Sequence, residues 1–278
     1  MKKILLSILL GAGALCANSL ADIKQAGEIR IGLQDSQPPF SFDDNGTLKG
    51  FEVDLANELV KNLFGNKKIK IDFISVASKD RVPSLEQNKV DLIISKLTVT
   101  KDRVQKVDFS YPYYSVQIGV LSRKDDNISR IDQIAHKKIL SVKGTTAEEH
   151  FKNAGYEIAT CADANECVAR LKAGEGIGFA DDNTVVLGYA RNDAALDAKI
   201  INLGKVDYIA VALSKGNTEL LDAVNSSLVK MYKAKFFHKA FDEDIKPYYG
   251  GKIDKKHFTL DEVYSLSLIH ISEPTRPY

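Results

Sequence analysis

The chain has 278 residues, 44% of them hydrophobic and 27% charged, a balance that supplies one large or two modest cores and gives no sign of disorder. The formal net charge is +1, falling to −1 once Lys2 and Lys3 are set aside with a leader, so neither nucleic acid nor an anionic membrane is an expected partner.

Lys2 and Lys3 precede an apolar run over residues 4–15, and Ser19-Leu20-Ala21 places small residues where a signal peptidase reads. This pattern predicts export to the periplasm, with cleavage after Ala21 and a signal peptide of residues 1–21. Lipid attachment at Cys16 is the alternative, disfavoured by the bulky Leu15 before it. No later apolar segment reaches the roughly 18 to 20 residues a membrane span needs.

In the body of the chain, alternation of Ile29, Ile31 and Leu33 predicts a strand, followed by a Pro38-Pro39 turn and an Asp43-Asp44-Asn45-Gly46 hairpin. Leu55, Ala56, Leu59, Val60 and Leu63 share one helical face, and Gly65 ends that helix. Ile69, Ile71 and Phe73 alternate as the next strand, a short helix covers 82–88, and 90–94 is a central strand. A βαβαβ order of this kind implies a mostly parallel sheet flanked by helices.

A second cycle follows Tyr111-Pro112-Tyr113-Tyr114 and the apolar run 116–121. Strands are expected at 138–142, 156–159, 177–180 and 199–202, with helices at 146–153, 164–173 and 183–191. An apolar segment at 208–213 leads into an amphipathic helix carrying Leu220, Leu221, Val224, Leu228, Val229 and Met231. Two α/β units joined by two extended segments predict a chain that leaves one lobe and returns to it: 22–115 with 208–265 as the first lobe, 116–207 as the second. A single doubly wound sheet is the competing arrangement. Residues 266–278, beginning LSLIHISEPTR, read as a translated sequencing-library adapter rather than natural sequence. Cys161 and Cys167 remain as an even pair in an oxidising compartment, either a local disulfide or two thiols.

Binding chemistry is concentrated after the strand at 90–94. Ser95, Thr98 and Thr100 are followed by Arg103, and an arginine fork beside hydroxyls and backbone N–H groups makes a socket for a free carboxylate. There is no nucleophile elbow, phosphate loop, His-Glu-x-x-His pair or Cys/His constellation, so neither metal nor cofactor is expected. An isolated Thr-x-x-Arg would more simply be a helix start.

Five segments in order supply the context: Gly50-Phe51-Glu52-Val53-Asp54-Leu55-Ala56; Arg81-Val82-Pro83-Ser84-Leu85; Thr98 to Arg103 with Val107-Asp108-Phe109-Ser110; Gly144-Thr145-Thr146; and Asp182-Asn183-Thr184. Together they resemble the periplasmic polar amino-acid-binding proteins of ABC importers, over about residues 27–249. The resemblance implies a type II periplasmic-binding fold of two lobes on a two-strand hinge. It also implies a monomer that closes on one free amino acid without chemistry and docks on an inner-membrane permease.

By the same resemblance Arg103 meets the α-carboxylate, with hydrogen bonds from Thr98 and the backbone at Ser95. Thr145 and Thr146 open a helix in the second lobe whose free N–H groups favour an anion, although ordinary capping explains them equally. Asp182 receives the α-ammonium; Asp181 is a neighbouring candidate, and a double-acid helix start would explain both structurally. Phe51 covers the ligand's hydrocarbon part unless it is core, and Phe40 and Asp35 lie on the near wall of the cleft. Lys96 departs from the family's small residue, either placing a cation in the pocket or projecting to solvent. Ile177 departs from a frequent aspartate. Arg81, with Lys96, leans the ligand toward glutamate, aspartate or glutamine. Two other readings stay open: a cyclohexadienyl dehydratase-like enzyme with Asp35, Glu52 or Asp182 as the acid, and a secreted sensor or adhesin.

Overall fold

A computed structural model describes residues 17–265. The leader core, Cys16 and the adapter-like tail lie outside the described residues. In chain order the elements are α1 (Leu20–Ala26), β1 (Glu28–Leu33), β2 (Ser36–Gln37), β3 (Ser41–Asp44), β4 (Thr47–Lys49), α2 (Phe51–Phe64), β5 (Lys70–Ser75), α3 (Arg81–Glu86), β6 (Leu92–Ile93), α4 (Lys101–Val104) and β7 (Val107–Arg123). They continue with β8 (Ile139–Val142), α5 (Thr146–Asn153), β9 (Ile158–Cys161), α6 (Ala164–Lys172), β10 (Gly178–Asp182), α7 (Asn183–Asn192), β11 (Leu196–Ser214) and α8 (Thr218–Lys233). Short helical turns at Phe236–Ala240, Lys246–Tyr249 and Lys256–Thr259 pack the C-terminal segment back on the body.

The strands run β5-β1-β6-β11-β7-β10-β8-β9 in one hydrogen-bonded order. β5, β1 and β6 are parallel at one end, β10, β8 and β9 parallel at the other, and antiparallel β7 and β11 join the two groups. β6 meets β11 at Ala212 and Leu213, whereas β10 meets β7 at residues 118–121. β7 and β11 pair with each other along their length, interrupted by register shifts from Asp197 to Asp207 and from Ile209 to Ala212, and β11 also meets Thr98 at Ile209. The result is a two-lobed α/β molecule whose halves are joined by a pair of long strands. The segments expected separately at 111–114 and 116–121 are one strand, as are those at 199–202 and 208–213.

Each lobe has its own apolar centre. The larger packs α2 and α8 on β1, β6 and β7 and is rich in aromatic rings: Tyr114 stacks at 5.2 Å on Phe40 and 5.3 Å on Phe258. In the second lobe Leu140, Phe179, Val186 and Leu171 are fully or nearly fully buried. Cys161 and Cys167 form a disulfide tying the end of β9 to α6. Gly119 lets α7 begin hard against β7, since a Cβ there would meet Val186 Cγ2 at 2.5 Å.

The expected cleavage point after Ala21 falls within α1. Ser19 caps that helix: its hydroxyl accepts from the Asp22 amide at 3.1 Å, and the Asp22 carboxylate accepts from the Ser19 amide at 2.9 Å. Asn18 donates to Asp91 Oδ1 at 3.0 Å, and its carbonyl accepts from Asn217 Nδ2 at 2.9 Å.

Candidate functional site

The first lobe brings three cations to one wall. β6 ends in a turn that carries Ser95 to Thr98, and Arg81 at the start of α3 holds this turn from behind: its Nη1 donates to the carbonyls of Ser95 (2.7 Å) and Lys96 (3.0 Å), and its Nε to that of Ser78 (3.0 Å). Lys96 adopts φ +45°, its amide donates to Glu52 Oε1 at 2.7 Å, and its Nζ donates to Gln37 Oε1 at 2.8 Å. Glu52, wholly buried, also accepts from the Tyr113 hydroxyl at 2.6 Å. The Thr100 hydroxyl caps α4 by accepting from the Arg103 amide at 3.3 Å, which fixes where the Arg103 side chain starts.

The second lobe supplies the opposite wall. Thr145 caps α5 through the Glu148 amide at 3.2 Å and donates to the Val142 carbonyl at 2.8 Å, so ordinary capping accounts for its hydroxyl. Asp181 and Asp182 close β10, both buried, and Asp181 accepts from the Asp182 amide at 2.8 Å. Asp182 precedes α7 but makes no capping hydrogen bond, so a helix-start role does not explain its carboxylate. The lobes touch: Arg103 Nη2 donates to the Gly144 carbonyl at 3.0 Å, and a Cβ at Gly144 would lie 2.9 Å from Lys79 Cα. Further along the interface the Tyr249 hydroxyl donates to the Thr184 carbonyl at 2.9 Å, and Arg191 lies over the Tyr248 ring at 4.6 Å.

Between these walls is a cavity of about 410 Å³, part of it open to solvent, lined by Arg81, Lys96, Thr98, Arg103, Thr145, Thr146, Asp181 and Asp182 among others. Burial is the dominant influence on every charge in it. Burial and then the neighbouring Asp181 push the Asp182 carboxyl up to about 7; Asp181 is itself shifted upward by burial. Burial and then Arg81 push Arg103 down to about 10, and burial lowers Lys96 despite the nearby carboxylates. Opposite charges buried around one cavity and contributed by two lobes can grip a group that carries both signs.

Other expected residues lie elsewhere. Phe51 packs in the aromatic core against Phe258 and Tyr113, not on the cavity wall. Phe40 is likewise core, with one edge on a separate apolar pocket that includes Pro38, Val185 and Tyr248. Asp35 is exposed, and Ser95 sits behind the wall, where its carbonyl accepts from Arg81. Ile177 packs beside the second lobe's core. The cavity also contains Gln34, Gln37, Ser78, Val142 and Ala164, which sequence patterns did not reveal. Gln37, at the end of β2, is 8% exposed and hydrogen-bonded to Lys96; an uncharged residue in a two-residue strand carries no periodic or charge signal.

Residues 29–243 match the model of bacterial extracellular solute-binding proteins, family 3. The chain belongs to this family. This solute-binding protein is 34% identical to the solute receptor for L-cysteine of Neisseria gonorrhoeae, which covers 85% of this chain and 97% of its own with a TM-score of 0.81. It is 29% identical over 219 residues to the ABC transporter glutamine-binding protein GlnH of Bacillus subtilis, spanning 77% of this chain and 80% of the relative. A third similar structure, the ancestral amino-acid-binding protein AncCDT-1, a precursor of cyclohexadienyl dehydratase, is 30% identical with a TM-score of 0.72 and covers 81% of this chain and 97% of its own. Family membership makes this an amino-acid-transport type of binding protein, acting outside the cytoplasm.

Proposed function

We propose that this solute-binding protein captures one free, small polar L-amino acid in the cleft between its lobes and delivers it, as a periplasmic monomer, to an ABC importer permease. The observation that carries the reading is the shared cavity of Arg103 and Asp182, one from each lobe. A zwitterion spanning them satisfies both, with its carboxylate on the guanidinium fork and Thr98, and its ammonium on Asp182 with Asp181 adjacent. Thr146 and the opening turn of α5 add N–H groups on the carboxylate side. Only a closed molecule makes both sets of contacts, so the ligand's preference for that form draws the lobes together. The hinge is the two-strand ribbon of β7 and β11 near residues 116 and 207, between the contacts of residues 97–99 with β11 and those of β10 with β7.

Ligand identity is narrowed by space and by Arg81. Nε and Nη1 of Arg81 bind three carbonyls, so Arg81 offers a ligand side chain its charge and Nη2. The confined cavity favours a short side chain. Cysteine, as in the gonococcal receptor, therefore stands beside aspartate, glutamate and glutamine. A thermal-shift screen of the twenty amino acids followed by calorimetry tests this, because a ligand of the native state raises its melting temperature. Absence of a shift with every amino acid would overturn the proposal.

A second reading draws on the raised Asp182 carboxyl, a proton donor near neutral pH, and on the likeness to the dehydratase precursor. In that reading the cleft eliminates a leaving group from a cyclohexadienyl acid. Appearance of aromatic absorbance on incubation with such an acid would establish it. A sensor or adhesin role uses the same binding event; a deletion strain that imports amino acids normally but fails to respond to them would favour the sensor.

A further inference from the structure

Lys96 is an unusual component of a binding wall. It is 5% exposed, its backbone lies in the left-handed region that disfavours a side chain with a Cβ, and it is part of the cavity lining beside its hydrogen-bond partner Gln37. A buried lysine held for structure alone is normally satisfied by a carboxylate. Here the hydrogen-bond partner of Nζ is the neutral amide oxygen of Gln37, while Glu52 is committed to the backbone amide of Lys96 and the Tyr113 hydroxyl. Glu52, Asp181 and Asp182 act on the ammonium through charge, but its one hydrogen bond is to Gln37, which uses one of three donors. Lys96 Nζ also lies 5.7 Å from the Phe40 ring centroid, so its stem is confined on that side. Burial lowers its proton affinity, a cost that a bound acceptor would offset.

We infer that Lys96, positioned by Gln37, selects the ligand's side chain, and that the ligand is an L-amino acid whose side chain ends in an acceptor: a carboxylate, an amide oxygen or a thiol sulfur. The inference rests on the proposal that Arg103 and Asp182 hold the α-carboxylate and α-ammonium, and it adds the group that reads the remainder. Arg81 spends Nε and Nη1 on three carbonyls of the wall itself, whereas the Lys96 ammonium has two donors beyond its bond to Gln37.

Lys96→Gly tests this cleanly, because glycine accepts φ +45° without strain and the change also removes a buried charge. Its melting temperature, together with retained binding of acceptor-free ligands, separates lost recognition from lost fold. Calorimetry would compare cysteine, aspartate, glutamate and glutamine with alanine and 2-aminobutyrate, which keep the zwitterion but lack the acceptor. The preferred acceptor ligand should weaken by at least ~30-fold, and the acceptor-free pair by less than about threefold. Gln37→Leu should weaken the same ligand in the same direction but less. An unchanged preference in Lys96→Gly, or a parallel loss across all six probes, would overturn the inference while leaving zwitterion binding intact. A parent protein that binds none of the six but another amino acid overturns the inference alone, and one that binds no amino acid removes both.

Discussion

Arg103 binds a carbonyl on each side of the cleft, that of Thr98 at 2.8 Å through Nη1 and that of Gly144 at 3.0 Å through Nη2. One rigid guanidinium therefore contacts both lobes. Arg103→Ala removes this bridge together with the proposed carboxylate partner and should weaken the preferred amino acid by roughly 2 to 5 kcal/mol in calorimetry. Arg103→Lys keeps the charge but loses the fork, and should recover only part of the affinity. Unchanged affinity in the alanine variant would dismiss Arg103 as a ligand group.

Asp182 sets an expected pH dependence. A carboxyl whose folded-state value is raised to about 7 binds protons more tightly in the native protein than in the unfolded chain, where it titrates near 3.8. Its protonation therefore stabilises the fold at low pH, and that stabilisation is lost as pH rises from about 4 through about 7. Asp182→Asn should raise the ligand-free melting temperature at pH 8, with little change at pH 4. The same variant should bind amino acids far more weakly, by roughly 2 to 5 kcal/mol. In the parent, binding of an ammonium to Asp182 should release a proton at pH 6 to 7, seen as a dependence of calorimetric enthalpy on the buffer's ionisation enthalpy.

Gly144 offers a test of closure that leaves every charged side chain in place. Its φ is +83°, and an added Cβ would lie 2.9 Å from the Lys79 Cα on the facing lobe. Gly144→Val should hold the lobes apart, lowering affinity about tenfold or more while the isolated lobes stay folded. Small-angle scattering should then show less compaction on adding amino acid than in the parent.

The N-terminus supplies a stability prediction. A chain starting at Asp22, as processing after Ala21 would leave it, lacks both the Ser19 cap and the Asn18 contacts to Asp91 and Asn217. It should unfold at lower urea than one starting at Asn18, by about 0.5 to 2 kcal/mol for the cap alone. Equal midpoints would show that α1 contributes nothing measurable.

Helices were the most legible part of the fold. α2 announces itself by the spacing of Leu55, Leu59 and Leu63 and by Gly65, and α5 begins where Thr146 was expected to open it. The long strands were less so. β7 and β11 each read as fragments because alternation breaks down around Pro112 and across the register shifts, where a strand passes from one group of neighbours to another. α1 was hidden because its residues resemble a cleavage site. In the cleft, residues at strand ends and helix starts, Lys96, Thr98, Arg103, Thr145, Thr146, Asp181 and Asp182, come together around one cavity, since those are the points at which β-α units meet. Phe40 and Phe51 gave no such guide, because an aromatic beside a turn packs inward as readily as toward a ligand. Gln37 escaped notice because only the three-dimensional neighbourhood of Lys96 reveals it.

Tyr249, fastened to the Thr184 carbonyl, and Tyr248, under Arg191, lie on a C-terminal helical turn far in sequence from the charged residues of the cleft. How widely the empty receptor gapes is thus adjustable through its tail. Substitutions there should sharpen or blunt affinity without touching the bound molecule, even in a mutant whose pocket is unaltered.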